Sequence, residues 1–277
     1  MRHGKPHIHL LLEAVVVLGA LVFVSPAVLM TITAFKPDAE IIRFVGLLPD
    51  QWTLDNFRQI LGTPEEIPLV RWFINSVFIA GSVTFLVLAV DSLAAYGLAR
   101  LNLPGKKPVF AFVIAMLMVP GQIMLVPTYL ILNALGWLDT PLALIIPAGA
   151  GVFGVFLLHQ FFLSLPGELE EAAVIDGCSR LGIYARIVLP LSKPALATLG
   201  IFTFMGSWND FLGPLVFLDS VEKYTMPVGI ALFQTSYYAE YGITLAAATL
   251  CTAPALLAFL LFQKHIVEGI SLTGLKG

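Results

Sequence analysis

The run LALIIPAGAGVFGVFLLHQFFL, from Leu142 to Leu163, decides the fold. Its 22 residues contain no Asp, Glu, Lys or Arg, and a helix needs only about 20 mostly apolar residues to cross a bilayer core of roughly 30 Å. The rest of the chain agrees with it. Of 277 residues, 58% are hydrophobic and only 12% charged, with a mean hydropathy of +0.90, far more apolar than a soluble domain of this size. The fold class expected is therefore all-α, a polytopic membrane protein in contact with lipid. The net charge of −3 is small and scattered, and no basic stripe offers nucleic acid a surface. Cys178 and Cys251 form neither a disulfide framework nor a paired metal motif, and both read as free thiols.

Five further runs meet the length requirement: Leu10–Ala34, Val70–Ala99, Val109–Leu132, Ala195–Leu218 and Ile243–Phe262. Six spans are thus expected, the second overhanging the hydrocarbon at both ends. Of the 15 Lys and Arg residues, those at 2, 5, 100, 106, 107, 180, 186, 193, 264 and 276 fall in the two tails and the second-to-third and fourth-to-fifth loops. Basic residues accumulate on the cytoplasmic side, so both termini are expected there. The first run is too long for the apolar core of a signal peptide, and no small-residue cleavage site precedes Phe35-Lys36-Pro37. It reads as a retained span. The organisation expected is a cytoplasmic tail (1–9), a six-span domain (10–265) with an outer loop (35–69) and a cytoplasmic loop (164–194), and a second cytoplasmic tail (266–277). A short amphipathic helix is expected at Asp50–Phe57 of the outer loop.

The loop after Leu163 carries its own helical punctuation. Pro166 and Gly167 open it, Glu168, Glu170 and Glu171 crowd a first turn where carboxylates suit the helix dipole, and Gly177 is placed to end it. Ser179 can cap a second helix, which should stop before Pro190, with Leu181, Tyr184 and Val188 on one face. Two readings stand: a solvated connector, or an elbow built for a partner. A phosphate loop of the form G-x-x-x-x-G-K-[ST] is missing from the chain. The Gly4-Lys5 and Gly105-Lys106 pairs are not followed by Ser or Thr, and position 100 is Arg rather than Gly. ATP is not expected to bind here by that motif.

The order Glu171-Ala172-Ala173, then Asp176-Gly177, then Ile187-x-Leu189-Pro190 resembles the cytoplasmic signature of permease subunits of bacterial ABC importers. The resemblance extends to Ala94-Ala-Tyr-Gly-Leu-Ala-Arg100 with Pro104-Gly105-Lys106, to Ser207-Trp-Asn-Asp-Phe-Leu-Gly-Pro214, to Tyr224-Thr-Met-Pro227 and to the tail Gly274-Leu-Lys-Gly277. These stretches are similar to the smaller permease of the maltose-type, carbohydrate-uptake branch. The resemblance implies a transport subunit rather than an enzyme, with no cofactor of its own and with ATP and Mg held by partners. Those partners would be a second permease, two ATPase subunits and an extracytoplasmic sugar-binding protein. It also implies that Glu171, Ala172, Ala173, Asp176, Gly177 and Pro190 form the ATPase-coupling elbow, that Gly274, Lys276 and Gly277 reach the ATPase, and that Tyr237 and Tyr238 in an outer loop touch the binding protein. Residence in a bacterial inner or plasma membrane follows.

Ionisable residues inside spans cost about 2.5–3.5 kcal/mol at the bilayer centre, so each is a functional candidate. Glu13 lies near an interface and takes no role. Asp91 sits deep in the second span, where it either pairs with a neighbouring helix, faces water or couples a proton. Asn209 and Asp210, with Trp208 beside them to stack on a sugar, either line a substrate pathway or tie helices together. Gly213 and Pro214 are placed to interrupt the fifth span, as Pro120, Pro127, Pro147 and Pro254 punctuate others. His3, His7 and His9 read as a solvated tail rather than a metal site. An ion-coupled secondary carrier using Asp91 and Asp210 is the rival reading, and no nucleophile–base or metal constellation supports a membrane enzyme. Within the importer class the substrate is a sugar or oligosaccharide, with a polyol or glycerol phosphate as the alternative.

Overall fold

A computed structural model describes residues 6–43, 46–62, 67–236, 241–254 and 256–257, with side-chain surroundings for these apart from 6–11 and 232–236. The described residues contain no strand. The helices are α1 (Pro6–Ala34), α2 (Asp38–Arg43), α3 (Asp55–Gly62), α4 (Leu69–Arg100), α5 (Lys106–Met116), α6 (Leu125–Ala134), α7 (Leu142–Ala148), α8 (Val152–Ser164), α9 (Glu168–Ile175), α10 (Arg180–Leu191), α11 (Lys193–Trp208), α12 (Leu212–Phe217), α13 (Met226–Ser236) and α14 (241–254). Among them three stretches are long and apolar enough to cross a membrane, Leu12–Ala34, Leu69–Arg100 and Leu142–Ser164. Two bent pairs, Lys106–Met116 with Gly121–Ala134 and Arg180–Leu191 with Lys193–Trp208, raise the number to five. The last expected span, Ile243–Phe262, lies partly outside the described residues.

The chain forms two compact units. In the first, comprising residues up to Val70 and Gly229–Pro254, α1 exposes Val15, Leu18, Leu21, Val22 and Phe23, a surface suited to lipid. Its carbonyls at Ile32 and Thr33 accept from Phe35 N and Lys36 N, which leaves the one at Ala34 and, just past the helix, the one at Lys36. The buried Asn56 of α3 serves both, donating to Ala34 O at 2.8 Å and Lys36 O at 2.9 Å. Phe35 packs on Phe57 with ring centroids 4.9 Å apart, and Gly242 N donates to Asp38 Oδ1 at 3.1 Å. The outer-loop helix begins at Asp55 rather than at the expected Asp50. Residues 50 and 51 bend, and the Thr53 hydroxyl accepts from Asp55 N at 3.1 Å, as a residue does when it opens a helix.

The second unit is built on α4. At 1.5 Å per residue its 32 residues exceed the hydrocarbon thickness, so both ends are free for polar contacts. At the N-terminal end Trp72 Nε1 donates to Val221 O (2.6 Å), Asn75 Nδ2 to Glu222 O (2.8 Å) and Tyr224 O (3.0 Å), and Met226 N donates to Ser76 Oγ (2.8 Å). Between the ends Ile79, Val83 and Val87 join Leu144, Leu158, Phe162 and Leu199 in one apolar core.

Three expected spans are not continuous helices. The third bends by 97° at Pro120, which is extended (φ −62°, ψ 127°). Proline has no N–H and drives the residue before it out of helical conformation. The fourth breaks between α7 and α8, where Pro147 is followed by an extended Gly151 (φ −129°, ψ 128°). The fifth breaks at Asn209 and Asp210, ahead of the expected Gly213-Pro214 site. Pro214 sits in the first turn of α12, where its missing N–H costs nothing.

Removing the Asn56 amide strands two buried carbonyls. Asn56→Ala is expected to cost about 2 kcal/mol, read as a lowered thermal unfolding transition of the detergent-solubilised protein.

Candidate coupling and pathway sites

The loop after α8 is a helix–bend–helix elbow. Gly177 ends α9 with φ +78°, a left-handed conformation that favours glycine. A Cβ there would meet nothing within 4 Å, so conformation and not space calls for the residue. Ser179 caps α10, its hydroxyl accepting from Gly182 N at 3.1 Å. The second helix does not stop before Pro190. A wide π turn over Tyr184–Val188 carries it through to Leu191, since a longer hydrogen-bonded ring makes room for a residue without an N–H. The sharp bend, 78°, falls at the fully buried Ser192, whose hydroxyl donates to Val188 O at 2.7 Å. The buried face of α10 is Ile183, Tyr184 and Val188, and Leu181 points away from it, 69% exposed.

α9 has two opposed sides. Glu170 and Ala173 face inward, whereas Glu171, Ala172, Val174, Ile175 and Asp176 are exposed, Ile175 at 86%. Arg100, the last residue of α4, holds the inner side. Its Nε lies 3.1 Å from Glu170 Oε1, both side chains being largely buried, and its terminal nitrogen donates to Phe162 O and Leu165 O at the end of α8. The intramolecular ion pair thus uses Glu170, and among the described residues Glu171 has no side-chain partner.

The second group of candidates lies around the broken spans. Gly151 N donates to both carboxylate oxygens of Asp91, at 3.0 and 3.1 Å. Asp91 is completely buried and closes the freed N-terminus of α8. Gly154 permits the approach, because a Cβ there would lie 2.0 Å from Asp91 Oδ2. A cavity of about 330 Å³ adjoins this break, lined by Gly151, Gly154, Thr203, Ser207, Asp210 and apolar residues including Val83 and Leu144. Asp210 is exposed and bonds within its own turn, accepting from Gly213 N at 3.3 Å. Asn209 likewise donates to Met205 O at 2.8 Å. Neither bond ties separate helices. Trp208 is buried between Phe73 and Phe204, with ring centroids 5.8 and 5.9 Å away, so its indole fills the core instead of offering a face to a sugar.

At the N-terminal end of α4, Asp139 organises a polar cluster. It accepts from Asp219 N (3.1 Å), Ser220 N (3.0 Å), Ser220 Oγ (2.6 Å) and Lys223 Nζ (2.7 Å). Partial burial works to raise its pKa, but the Lys223 ammonium, the Ser220 hydroxyl and the two amides outweigh that and hold the carboxyl below the usual carboxylate range. Tyr237, Tyr238, Gly274, Lys276, Gly277 and His3 lie outside the described residues, as do the side chains of His7 and His9. No group of His, Cys, Asp and Glu suited to a metal ion occurs among the described residues.

Glu170, Arg100, Ser92, Tyr96 and Tyr184 were not singled out as site residues in the sequence. The signal available was Ser92, Tyr96 and Arg100 at four-residue spacing on one face of the C-terminal part of a mostly apolar helix.

Comparison with known proteins follows the same lines. The profile of a family described as binding-protein-dependent transport system inner membrane component matches residues 91–272. The chain is 36% identical over 261 residues to the arabinooligosaccharides transport system permease protein AraQ of Halalkalibacterium halodurans, covering 93% of each. It is 35% identical over 266 residues to the trehalose/maltose transport system permease protein MalG of Thermococcus litoralis, covering 94% of each. A chain of a bacterial ABC transporter involved in the import of the acidic polysaccharide alginate superposes with a TM-score of 0.83 at 20% identity, over 95% of this chain and 99% of that one. It shares the fold.

Because folded Asp139 binds its proton less tightly than an unfolded Asp, its contribution is complete above the ordinary pKa of about 3.9 and is lost only as pH falls through the lower folded value. Asp139→Asn is therefore expected to speed amide exchange across Asp219–Tyr224 at neutral pH, with the two proteins converging only in strong acid.

Proposed function

The chain belongs to the family of binding-protein-dependent transport system inner membrane components, whose curated relatives here are carbohydrate ABC transporter permeases and not enzymes, and on that footing we propose that it forms half of the transmembrane pathway of an ATP-driven importer for an oligosaccharide. Residues 10–265 form its permease domain with six spans, both tails face the cytoplasm, and the elbow at 164–194 is the surface on which an ATPase subunit docks. The observation that carries this reading is the two-sided α9: Glu170 and Ala173 fasten it inward while Glu171, Ala172 and Ile175 stay open. An exposed isoleucine beside an unpaired carboxylate suits a protein groove with a basic group in it, and small Ala172 allows close approach. Glu171, Ala172, Ala173, Asp176, Gly177 and Pro190 make up the coupling element. ATP and Mg belong to the ATPase partners, and a second permease completes the pathway.

An extracytoplasmic binding protein delivers the substrate, with Tyr237 and Tyr238 as its contacts, and Gly274, Lys276 and Gly277 reach the ATPase. The relatives' names specify arabinooligosaccharides and trehalose or maltose, and another names sulfoquinovosyl glycerol. An alginate ABC transporter of similar fold has been crystallised with an alginate pentasaccharide-bound periplasmic protein. A glycoside is the shared chemistry, of which we take an oligosaccharide as the first reading, with a polyol or glycerol phosphate as the second substrate class. The cavity beside Asp210, Ser207 and Thr203 offers this chain's polar groups to the pathway.

Two experiments test the reading. Glu171→Lys, like Gly177→Asp, is expected to leave the chain in the membrane while ATPase co-purification weakens about tenfold, a loss of roughly 1.4 kcal/mol. Uptake of labelled arabinotriose, maltose and alginate oligosaccharide by cells should fall with it for whichever is carried. Undiminished uptake in both variants would overturn the docking role. The ion-coupled alternative uses Asp91 and Asp210 as its coupling acids, but both carboxylate oxygens of the buried Asp91 accept from the Gly151 amide, which gives that residue a structural task. Asp91→Asn retains an oxygen acceptor, so uptake is expected to survive the substitution, and its abolition would favour the carrier.

A further inference from the structure

Both helices of the elbow are fastened to one face of α4. Ser92, Tyr96 and Arg100 stand one turn apart and rise about 12 Å along it. Tyr184 OH lies 2.6 Å from Ser92 Oγ. The single Ser92 proton is directed to Leu88 O, so Tyr184 is the donor. Tyr96 OH donates to Arg180 O at 3.2 Å, and its ring packs on Tyr184 with centroids 5.2 Å apart. Arg100 holds Glu170 of α9. Ser92, Tyr96, Tyr184 and Glu170 are all buried, where water does not substitute for a lost partner and each polar contact is correspondingly stiff.

A loop attached only through its ends would pass a displacement to α8 and α11 alone. Here α9 and α10 are each bonded a second time, to a helix remote in sequence. Asp91, one residue before the ladder, then bonds the broken end of α8 beside the cavity. We propose that Ser92, Tyr96 and Arg100 are positioning residues that latch α4 to the elbow, so that α4 and the elbow move as one body when the ATPase closes. The latch rests on the reading of the elbow as the ATPase-docking element.

Contiguous bonds do not by themselves demonstrate coupling, and the distance between α4 and the elbow does. In the whole importer complex with Cys178 and Cys251 replaced by Ser, spin labels are placed at Phe78→Cys on α4 and Ala185→Cys on α10, both exposed. Fourteen residues separate Phe78 from Ser92, about 21 Å of helix, which suits a pulsed dipolar measurement. With the latch intact, one unshifted distance is expected in the nucleotide-free state and in the state trapped with Mg-ATP and vanadate. With Glu170→Ala, Tyr96→Phe and Tyr184→Phe together, which remove all three contacts, the trapped state should give a shifted and broadened distribution while vanadate trapping persists. Glu170→Met with Tyr96→Phe and Tyr184→Phe removes the same contacts at nearly the native side-chain volumes and serves where the alanine chain does not assemble. A shift between states in the intact latch, or an unshifted distance when the latch is cut, overturns the proposal. Failure of the unmodified chain to co-purify with an ATPase overturns the docking reading and the latch with it.

Discussion

In hydrocarbon a peptide group that loses its helical partner finds no water to replace it, and the second unit answers that constraint with one helix. α4 closes α8 at both poles. Asp91 receives the Gly151 amide at the N-terminal end, and Arg100 donates to the Phe162 and Leu165 carbonyls at the C-terminal end. The signs match the helix dipole, an anion at the start and a cation at the finish. The two residues are nine apart, about 14 Å along α4, against about 20 Å along α8. The length of an arginine side chain makes up the difference. Because both caps come from the same rigid element, the fourth span can be broken near Gly149 without losing its position.

That break in turn shapes the cavity. Gly149 and Gly154 bring α4 close, since a Cβ at Gly149 would lie 2.9 Å from Leu86 Cδ1 and one at Gly154 would collide with Asp91. The polar lining is then completed by Thr203 and Ser207 of α11 and by Asp210, where the fifth span also breaks. Two interrupted helices beside one cavity is an arrangement that irregular backbone tolerates within a membrane. Asp210 satisfies part of its own broken turn and remains exposed on the cavity wall. Asp91 is sealed. Two intramembrane acids that look alike in a hydropathy profile thus have different tasks, one holding a helix end and the other facing a space.

The elbow shows how far local pattern reaches. Its first helix, the turn at Gly177 and the cap at Ser179 were legible because each depends on residues only a few positions apart: a carboxylate-rich first turn, a left-handed glycine, a hydroxyl three residues from its amide. The passage through Pro190 was not legible. A proline normally ends a helix, and only the packing of Ile183, Tyr184 and Val188 into the core favours the wide turn that accommodates it. The same limit hid the inner carboxylate. Glu170 and Glu171 are adjacent and chemically identical, and a helix turns them 100° apart, so one meets Arg100 while the other faces outward.

By itself the sequence determined that the chain is helical and bound to a membrane, because the length and apolarity of a run such as Leu142–Leu163 answer directly to the thickness of a bilayer. It also determined where an elbow stands between two such runs, through glycine, proline and capping residues that act over one turn. Only the tertiary structure decided how the broken ends are closed, which of two neighbouring glutamates is buried, and that Trp208 fills a core. The closed break before α8 depends on Asp91 meeting Gly151, the buried glutamate on Arg100 meeting Glu170, and the indole on Phe73, partners 60, 70 and 135 positions apart. No local preference registers a contact that exists only once the helices have packed.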